Sequence, residues 1–193
     1  MSEFSQSYHL LGSKEKAIEL INLAGEQGFV FEDNNRWTTF LVLGDEFRPS
    51  DSIVESNKDL LVHYVYAEDH GWSLSIFKQS VLIFKFDCSW DETNIEDFDF
   101  DEEELAEMFD DGEVSAPSNE IFDLDVIKKL VEEAGNDSSD LEVLFTKDHE
   151  VIFAMESPCA YQIAEKLGII NYAWISADSL DSDDGFYKNV IKV

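Results

Sequence analysis

Carboxylates are the most abundant groups in this chain that could do chemistry, and many of them are concentrated in one stretch. The 193 residues include 43 Asp and Glu but only 13 Lys and Arg, so the formal net charge is −30. Residues 86–127 contain 17 carboxylates and no Lys, Arg or His. Carboxylates in such numbers could bind a divalent cation, serve as a general acid and base, or attract a cationic partner.

Calcium is the first ligand to test, because the acidic stretch contains the opening of an EF-hand loop. Asp97, Asp99 and Asp101 have the spacing of the first ligands in such a loop. The sixth position is Glu102, where the sharp turn needs glycine, and the twelfth is Met108, where the loop needs a bidentate glutamate. The motif is incomplete, so we expect no dedicated metal site.

Histidine and cysteine are the other candidates for chemistry. His63 falls on the face of a predicted strand, whereas Asp69 and His70 fall in the turn that follows, so their spacing does not predict one shared metal ion. Cys159 falls in the first turn of a predicted helix, where the helix dipole could lower the pKa of its thiol. No histidine, however, has a spacing that supports a catalytic dyad with it. The chain also lacks GxSxG, phosphate-loop and dinucleotide motifs, so we predict no catalytic residue and no cofactor.

Apolar residues are threaded through the acidic stretch, and they favour a role in recognition. Leu105, Met108 and Phe109 have the three- and four-residue spacing that lines one face of a helix. We predict a short helix over 101–110 that docks on the body through this face and turns its carboxylates outward. The predicted partner-binding residues are Asp91, Glu92, Glu96, Asp97, Phe98, Asp99, Phe100, Asp101, Glu103, Glu104, Glu107, Phe109 and Asp111. A solvated acidic loop that only keeps the protein soluble is the alternative.

The net charge also decides which partners the chain can approach. A strongly negative surface repels nucleic acid and anionic membranes and attracts cationic proteins. The longest wholly apolar run, 151–155, is far too short to cross a bilayer. The amino terminus has no signal-peptide pattern, and the two cysteines form no CxxC pair, which fits a reducing compartment. We expect a cytoplasmic protein with a basic protein partner, no direct nucleic-acid binding and no membrane contact.

Hydrophobic spacing predicts the elements that position these residues. A helix is indicated over 13–27, with Gly28 placed to end it. Five strands are then predicted, over 29–31, 37–43, 60–67, 72–78 and 81–86. The short links between them predict an antiparallel meander, because parallel neighbours would need long crossovers.

Predicted helices and strands resume after the acidic stretch. Asp123 can cap a helix that carries an apolar stripe. LEVLF and VIFAM flank the polar segment TKDHE, which predicts a hairpin over 141–155. Ser157 and Pro158 favour the start of a last helix, which is predicted to stop near Gly168. The final residues FYKNVIKV could add an edge strand. The second half is therefore predicted to be a helix, a hairpin and a helix.

The predicted fold class is α+β: a helix on an antiparallel β-meander, an acidic connection, then helix–hairpin–helix. The predicted parts are 1–90 for the helix and meander, 91–118 for the acidic connection with its short helix, and 119–193 for the remainder. The last part either completes one domain with 1–90 or forms a small domain of its own. The oligomeric state stays open.

The residues favour a non-enzymatic acidic interaction protein that binds and neutralises a basic partner, as an immunity protein, an inhibitor or a nucleic-acid (DNA) mimic does. Rows of carboxylates would stand where the partner expects nucleic-acid phosphates or the acidic face of its cognate protein. Two alternatives stay open. One is an acidic scaffold or regulatory module whose charge serves solubility. The other is a carboxylate-based hydrolase, which only the number of acids supports.

Purified protein that has been dialysed against modest salt should retain neither Ca²⁺ nor Zn²⁺ in stoichiometric amount, because the sequence holds no ligand set with a suitable spacing. Elemental analysis of the dialysed protein measures this directly. One ion per chain would contradict the expectation.

Overall fold

An antiparallel sheet of seven strands forms the centre of the described part of the molecule. The computed structural model describes residues 2–44, 47–90, 121–181 and 190–193. The strands are β1 (Phe4–Leu11), β2 (Gly28–Val30), β3 (Trp37–Val42), β4 (Leu60–Ala67), β5 (Gly71–Lys78), β6 (Val81–Ser89) and β7 (Ile191–Lys192). The helices are α1 (Lys14–Ala24), α2 (Asp51–Ser56), α3 (Leu124–Glu133), α4 (Leu141–Leu144), α5 (His149–Ala154), α6 (Cys159–Leu167) and α7 (Ala177–Asp181). The predicted α+β class is confirmed.

The strand order is β6-β5-β4-β1-β3-β2-β7, which places β1 at the centre of the sheet. β1 pairs with β4 on one side and with β3 on the other, and both pairings are antiparallel. Apolar spacing indicates this strand only weakly: Tyr8 and Leu10 alternate with polar residues, but Gln6 interrupts the apolar face. The alternating polar side chains of Ser5, Ser7 and His9 are nevertheless buried. The predicted β2–β3 hairpin and the predicted β4–β5–β6 meander are both present. β1 separates them, so the five predicted strands do not form one continuous meander.

The two faces of the sheet carry different hydrophobic cores. Tyr8 and Phe40 lie on the face that α1 and α2 cover, which we call the α1 face. Tyr64 and Leu74 lie on the opposite face, which α3, α4, α5 and α6 cover and which we call the α6 face. The core on the α6 face therefore joins side chains from before and after residues 91–120.

α1 ends earlier than the sequence predicts. Its last residue is Ala24, and Gly25 follows with a φ of 72°, a left-handed conformation that glycine adopts without strain. Gly28, the predicted end, lies in β2, where an added Cβ would stand 2.0 Å from the carbonyl oxygen of Leu41. Gly28 therefore serves the close approach of β2 to β3.

The hairpin predicted over 141–155 is not formed, because this segment folds into the two short helices α4 and α5. Leu141 and Leu144 are buried while Val143 is exposed, which is a helical pattern and departs from the alternation of a strand. Asp148 caps α5, since its carboxylate accepts a hydrogen bond from the backbone N–H of Glu150 at 3.0 Å. Packing of these helices on the α6 face outweighs the strand preference of residues such as Val and Ile.

The helices predicted on either side of that segment are confirmed. α3 is capped by Asp123, whose carboxylate accepts the backbone N–H of Asp125 at 3.0 Å. α6 follows Pro158 and ends at Gly168, which has a φ of 79°. The edge strand predicted in the last residues is β7, which pairs with β2. None of the helices in the described ranges has the length and the apolar run that a membrane span requires.

Candidate interaction surface

The thirteen predicted partner-binding residues and the short helix predicted among them fall within residues 91–120, outside the described residues. The structure describes the body at both junctions with this segment. The chain enters the segment after Trp90, at the end of β6. It leaves the segment before Ile121, whose carbonyl oxygen accepts the backbone N–H of Lys85 in β6 at 2.8 Å. Both junctions therefore lie along β6.

The body is acidic in its own right. The described residues contain 25 Asp and Glu and 12 Lys and Arg. The ion pairs between described residues are Lys14–Glu32, Lys16–Asp59, Arg36–Glu133 and Lys58–Glu19, all at the surface. Among the carboxylates whose exposure is described, only Glu3 is buried. The described part of the molecule is therefore acidic even without residues 91–120.

Exposed apolar side chains lie along β6 on the α6 face, next to both junctions. Phe122 is 39% exposed, and its ring centroid lies 5.4 Å from that of Phe84 and 6.1 Å from that of Phe86. Phe153 is 65% exposed, and its ring centroid lies 5.8 Å from that of Trp90. We call the exposed residues Ile121, Phe122 and Phe153, together with the half-buried Trp90, the β6 rim. Large apolar groups left in water along one strand are typical of a binding surface.

Hydrogen bonds and helical spacing fix the aromatic side chains at one end of the rim. The backbone N–H of Trp90 donates to the carbonyl oxygen of His70, and its indole Nε1–H donates to the carbonyl oxygen of Glu68, both at 3.0 Å. Phe153 lies one helical turn after His149 in α5, and the centroids of these two rings are 6.2 Å apart. These aromatic groups therefore hold their positions before any partner binds.

Exposed carboxylates border this end of the rim. Glu68 and Asp69 are exposed in the turn between β4 and β5. The backbone carbonyl of Glu68 accepts the hydrogen bond from Trp90, and its carboxylate accepts one from the backbone N–H of Glu3 at 2.9 Å. Asp148 and Glu150 lie at the start of α5. Ring faces and carboxylates both attract cations, so this surface can bind a positively charged group.

Glu3 holds together three parts of the structure on the α6 face. One of its carboxylate oxygens accepts hydrogen bonds from the hydroxyl of Ser5 at 2.8 Å and from the backbone N–H of Trp174 at 2.9 Å. The other oxygen accepts a hydrogen bond from the hydroxyl of Tyr161. Glu3 therefore joins β1 to α6 and to the segment before α7. Because both oxygens are already hydrogen-bonded, the arrangement suits a structural clamp more than acid–base catalysis.

A cluster of tyrosines surrounds this carboxylate. Its members are Tyr64, Tyr66, Tyr161 and Tyr172. Burial and the nearby Glu3 raise the pKa of Tyr66 to about 12, and burial with a hydrogen bond to Glu165 raises the pKa of Tyr172 to about 12. Burial raises the pKa of Tyr64 and Tyr161 as well. These phenols stay protonated at neutral pH, so they do not act as bases. The hydroxyls of Tyr161 and Tyr172 donate hydrogen bonds to Glu3 and Glu165.

His9 and His63 are almost completely buried and lie on opposite faces of the neighbouring strands β1 and β4. The ring nitrogens of His9 lie 2.9 Å from Ser7 Oγ and 3.1 Å from Thr39 Oγ1. Burial lowers the pKa of both histidines to about 3, so both rings are neutral. A serine beside a histidine could form a nucleophile, but Ser7 and His9 are buried, and Thr39 supplies no negative charge to stabilise an imidazolium.

The other candidates for chemistry lie apart from one another. Burial raises the pKa of the Cys159 thiol, which donates to Met155 Sδ at 3.3 Å. His63 is buried in β4, whereas Asp69 and His70 are exposed in the turn that follows. Within the described ranges, no group of three or more His, Cys, Asp or Glu side chains is arranged to hold a metal ion.

No protein family, curated protein or solved structure matches this chain. The β6 rim, the acidic surface and the buried polar groups around β1 are the features from which a function can be inferred.

Tyr64→Phe should leave the free energy of unfolding unchanged or raise it by about 1 kcal/mol, because it removes a buried hydroxyl that has no hydrogen-bond partner among the described residues. Tyr161→Phe removes a hydroxyl that donates to the buried Glu3 and should lower that free energy by about 1–3 kcal/mol. Urea unfolding compares these two variants, which lose the same atom. A larger loss for Tyr64→Phe than for Tyr161→Phe would contradict this account of the cluster.

The two buried histidines should make the protein less stable as the pH falls from 6.5 towards 3. Each has a pKa of about 3 in the folded chain against an ordinary value of 6.5. In this range the unfolded chain therefore binds protons that the folded chain does not. At pH 5 the free energy of unfolding should be lower by about 2 kcal/mol for each histidine.

A pair of variants isolates this effect from the relief of repulsion among surface carboxylates, which acts equally on both. His63→Gln should remove one of the two histidine contributions, whereas His149→Gln, at an exposed position, should keep both. Urea unfolding at pH 7 and pH 5 gives the change in stability for each chain. The same pH dependence in both variants would mean that His63 is not buried in its neutral form.

Proposed function

We propose that this is a non-enzymatic acidic interaction protein that binds and neutralises a basic protein partner. One observation carries the proposal: the exposed aromatic side chains of the β6 rim lie where the most acidic segment of the chain joins the body. That segment, 91–120, contains 14 of the 43 carboxylates and no Lys or Arg.

The charge supports the proposal through the kind of partner that it selects. A net charge of −30 attracts basic surfaces over distances of about a Debye length and repels nucleic acid and anionic membranes. Opposite charges speed the encounter of two proteins more than they tighten the complex. Charge alone would therefore give fast, salt-sensitive and poorly selective binding.

The β6 rim supports the proposal because its exposed aromatic side chains can supply the selectivity that charge alone does not give. Phe122 and Phe153 are large apolar groups that a partner could remove from water, and buried aromatic side chains contribute most of the affinity in many interfaces. The predicted partner-binding residues Phe98, Phe100 and Phe109 extend the same mixture of carboxylates and aromatic rings. Together these groups would give the complex its selectivity.

The partner that fits best is a protein with a nucleic-acid-binding face or another strongly basic face. Carboxylates would occupy the positions of phosphates, so the complex would neutralise that face, as an immunity protein, an inhibitor or a DNA mimic does. A cytoplasmic location belongs to the proposal. Cys88 and Cys159 are buried thiols, and reduced thiols are the usual state of cysteines in a reducing compartment.

A pull-down from the native host at low salt tests the proposal. It should enrich one basic protein above the background that polyglutamate collects, and added salt should weaken the complex steeply. Single serine substitutions at Phe98, Phe100, Phe109, Phe122 and Phe153 keep the net charge. Each substitution at a residue that contacts the partner should weaken the affinity for the purified partner by about tenfold or more.

Leu23→Ser is the matched control, because Leu23 is 55% exposed on α1, on the other side of the sheet. Its affinity for the partner should equal that of the unchanged chain. If no aromatic variant differs from this control, binding follows charge alone. The protein would then be an acidic scaffold or regulatory module whose charge serves solubility.

A further inference from the structure

Three aromatic rings at the end of β6 form a site of defined geometry. The ring planes of Trp90 and Phe153 meet at 67° with centroids 5.8 Å apart, and those of His149 and Phe153 meet at 63° with centroids 6.2 Å apart. We call Trp90, His149 and Phe153 the aromatic corner. An edge-to-face contact covers one face of only one ring in each pair, and Phe153 is 65% exposed. The corner therefore offers aromatic faces to a ligand from solution.

The surroundings of the corner select a cation as that ligand. Aromatic faces are negative and attract cations within about 6 Å of the ring centroid. Asp148 and Glu150 are exposed at the start of α5, the helix that carries His149 and Phe153, so they add full negative charges near these rings. The body already holds cations in this way, since Lys147 Nζ lies 5.9 Å from the centroid of Phe86, in the same β6 region.

The shape of the corner favours a guanidinium group over an ammonium group. A guanidinium is planar and weakly hydrated, so it can stack on a ring face while its N–H groups reach carboxylates at the edge. An ammonium is compact and strongly hydrated, and it gains less from a flat aromatic wall. The corner presents individual ring faces, inclined to one another, with the carboxylates of Asp148 and Glu150 on the same helix as two of the rings.

The corner is also preorganised. Trp90 is held by one hydrogen bond from its backbone N–H and one from its indole N–H. α5 is capped by Asp148, whose own backbone N–H donates to Thr146 Oγ1 at 3.0 Å. Groups that are already ordered lose little entropy when a ligand binds. We propose that the aromatic corner binds an arginine side chain of the basic partner, an inference that rests on the proposed function.

The full chain is titrated with N-acetylarginine amide, and the indole of Trp90 and the ring of Phe153 are followed by NMR. N-acetyllysine amide serves as the ammonium probe and N-acetylcitrulline amide as the neutral isostere. Arginine should cause saturable shifts at the corner, lysine should bind about fivefold more weakly or worse, and citrulline should cause none. Equal shifts with arginine and lysine, or no shifts at the corner, would overturn the proposal.

Phe153→Leu keeps an apolar side chain at an exposed position but removes the ring face, and it should weaken arginine binding by about tenfold. Phe122→Leu makes the same exchange at a rim residue outside the corner and should leave arginine binding unchanged. Equal effects of the two substitutions would overturn the assignment to the corner.

The pull-down separates this inference from the proposed function. No arginine-dependent shift at the corner, together with capture of a basic partner that depends on other rim or segment residues, would overturn the corner alone. Saturable arginine binding at the corner, with no basic partner captured, would confirm that the corner binds a guanidinium group. It would at the same time contradict the proposed function.

Discussion

The central strand β1 sets the constraint on which the rest of the fold depends. A strand with neighbours on both sides and helices on both faces must find a partner for each polar group that it buries. On the α6 face the buried polar groups of β1 are Ser5, Ser7 and His9. Ser5 is hydrogen-bonded to Glu3, and His9 is hydrogen-bonded to Ser7 and to Thr39 on β3. A slip of one residue would move every polar side chain to the opposite face, so these hydrogen bonds also set the register of β1.

The negative charge is the second constraint, since a body of like charges repels itself. Among the carboxylates whose exposure is described, all except the buried Glu3 are exposed or partly exposed, which keeps them in contact with water. The core on the α6 face opposes the repulsion with densely packed aromatic rings. Trp72 and Phe86 have centroids 4.7 Å apart, and Phe145 lies 5.1 Å from Phe86. Large aromatic burial allows the surface to remain strongly charged without loss of the fold.

Fold and proposed function meet at β6, which is one edge of the sheet. An exposed edge can pair with a strand of another molecule, and charged groups beside it discourage such pairing. Residue 121 covers part of this edge through its hydrogen bond to Lys85, and the acidic segment joins the body at both ends of the same region. The charge that protects the edge from like-charged copies would also draw a basic partner to it, where the aromatic side chains can add selectivity.

The sequence by itself determined the features that depend on local spacing: the charge and its concentration, the β4–β5–β6 meander with its short links, and the ends of α3 and α6 at Asp123 and Gly168. The assignment of partner binding to residues 91–111 remains a prediction. Only the tertiary structure decided that a polar strand occupies the centre of the sheet, that 141–155 is helical, and that Trp90 meets Phe153 across 63 positions of the chain. Hydrogen bonds to distant strands and packing on a shared face decide such outcomes, and neither can be read from neighbouring residues.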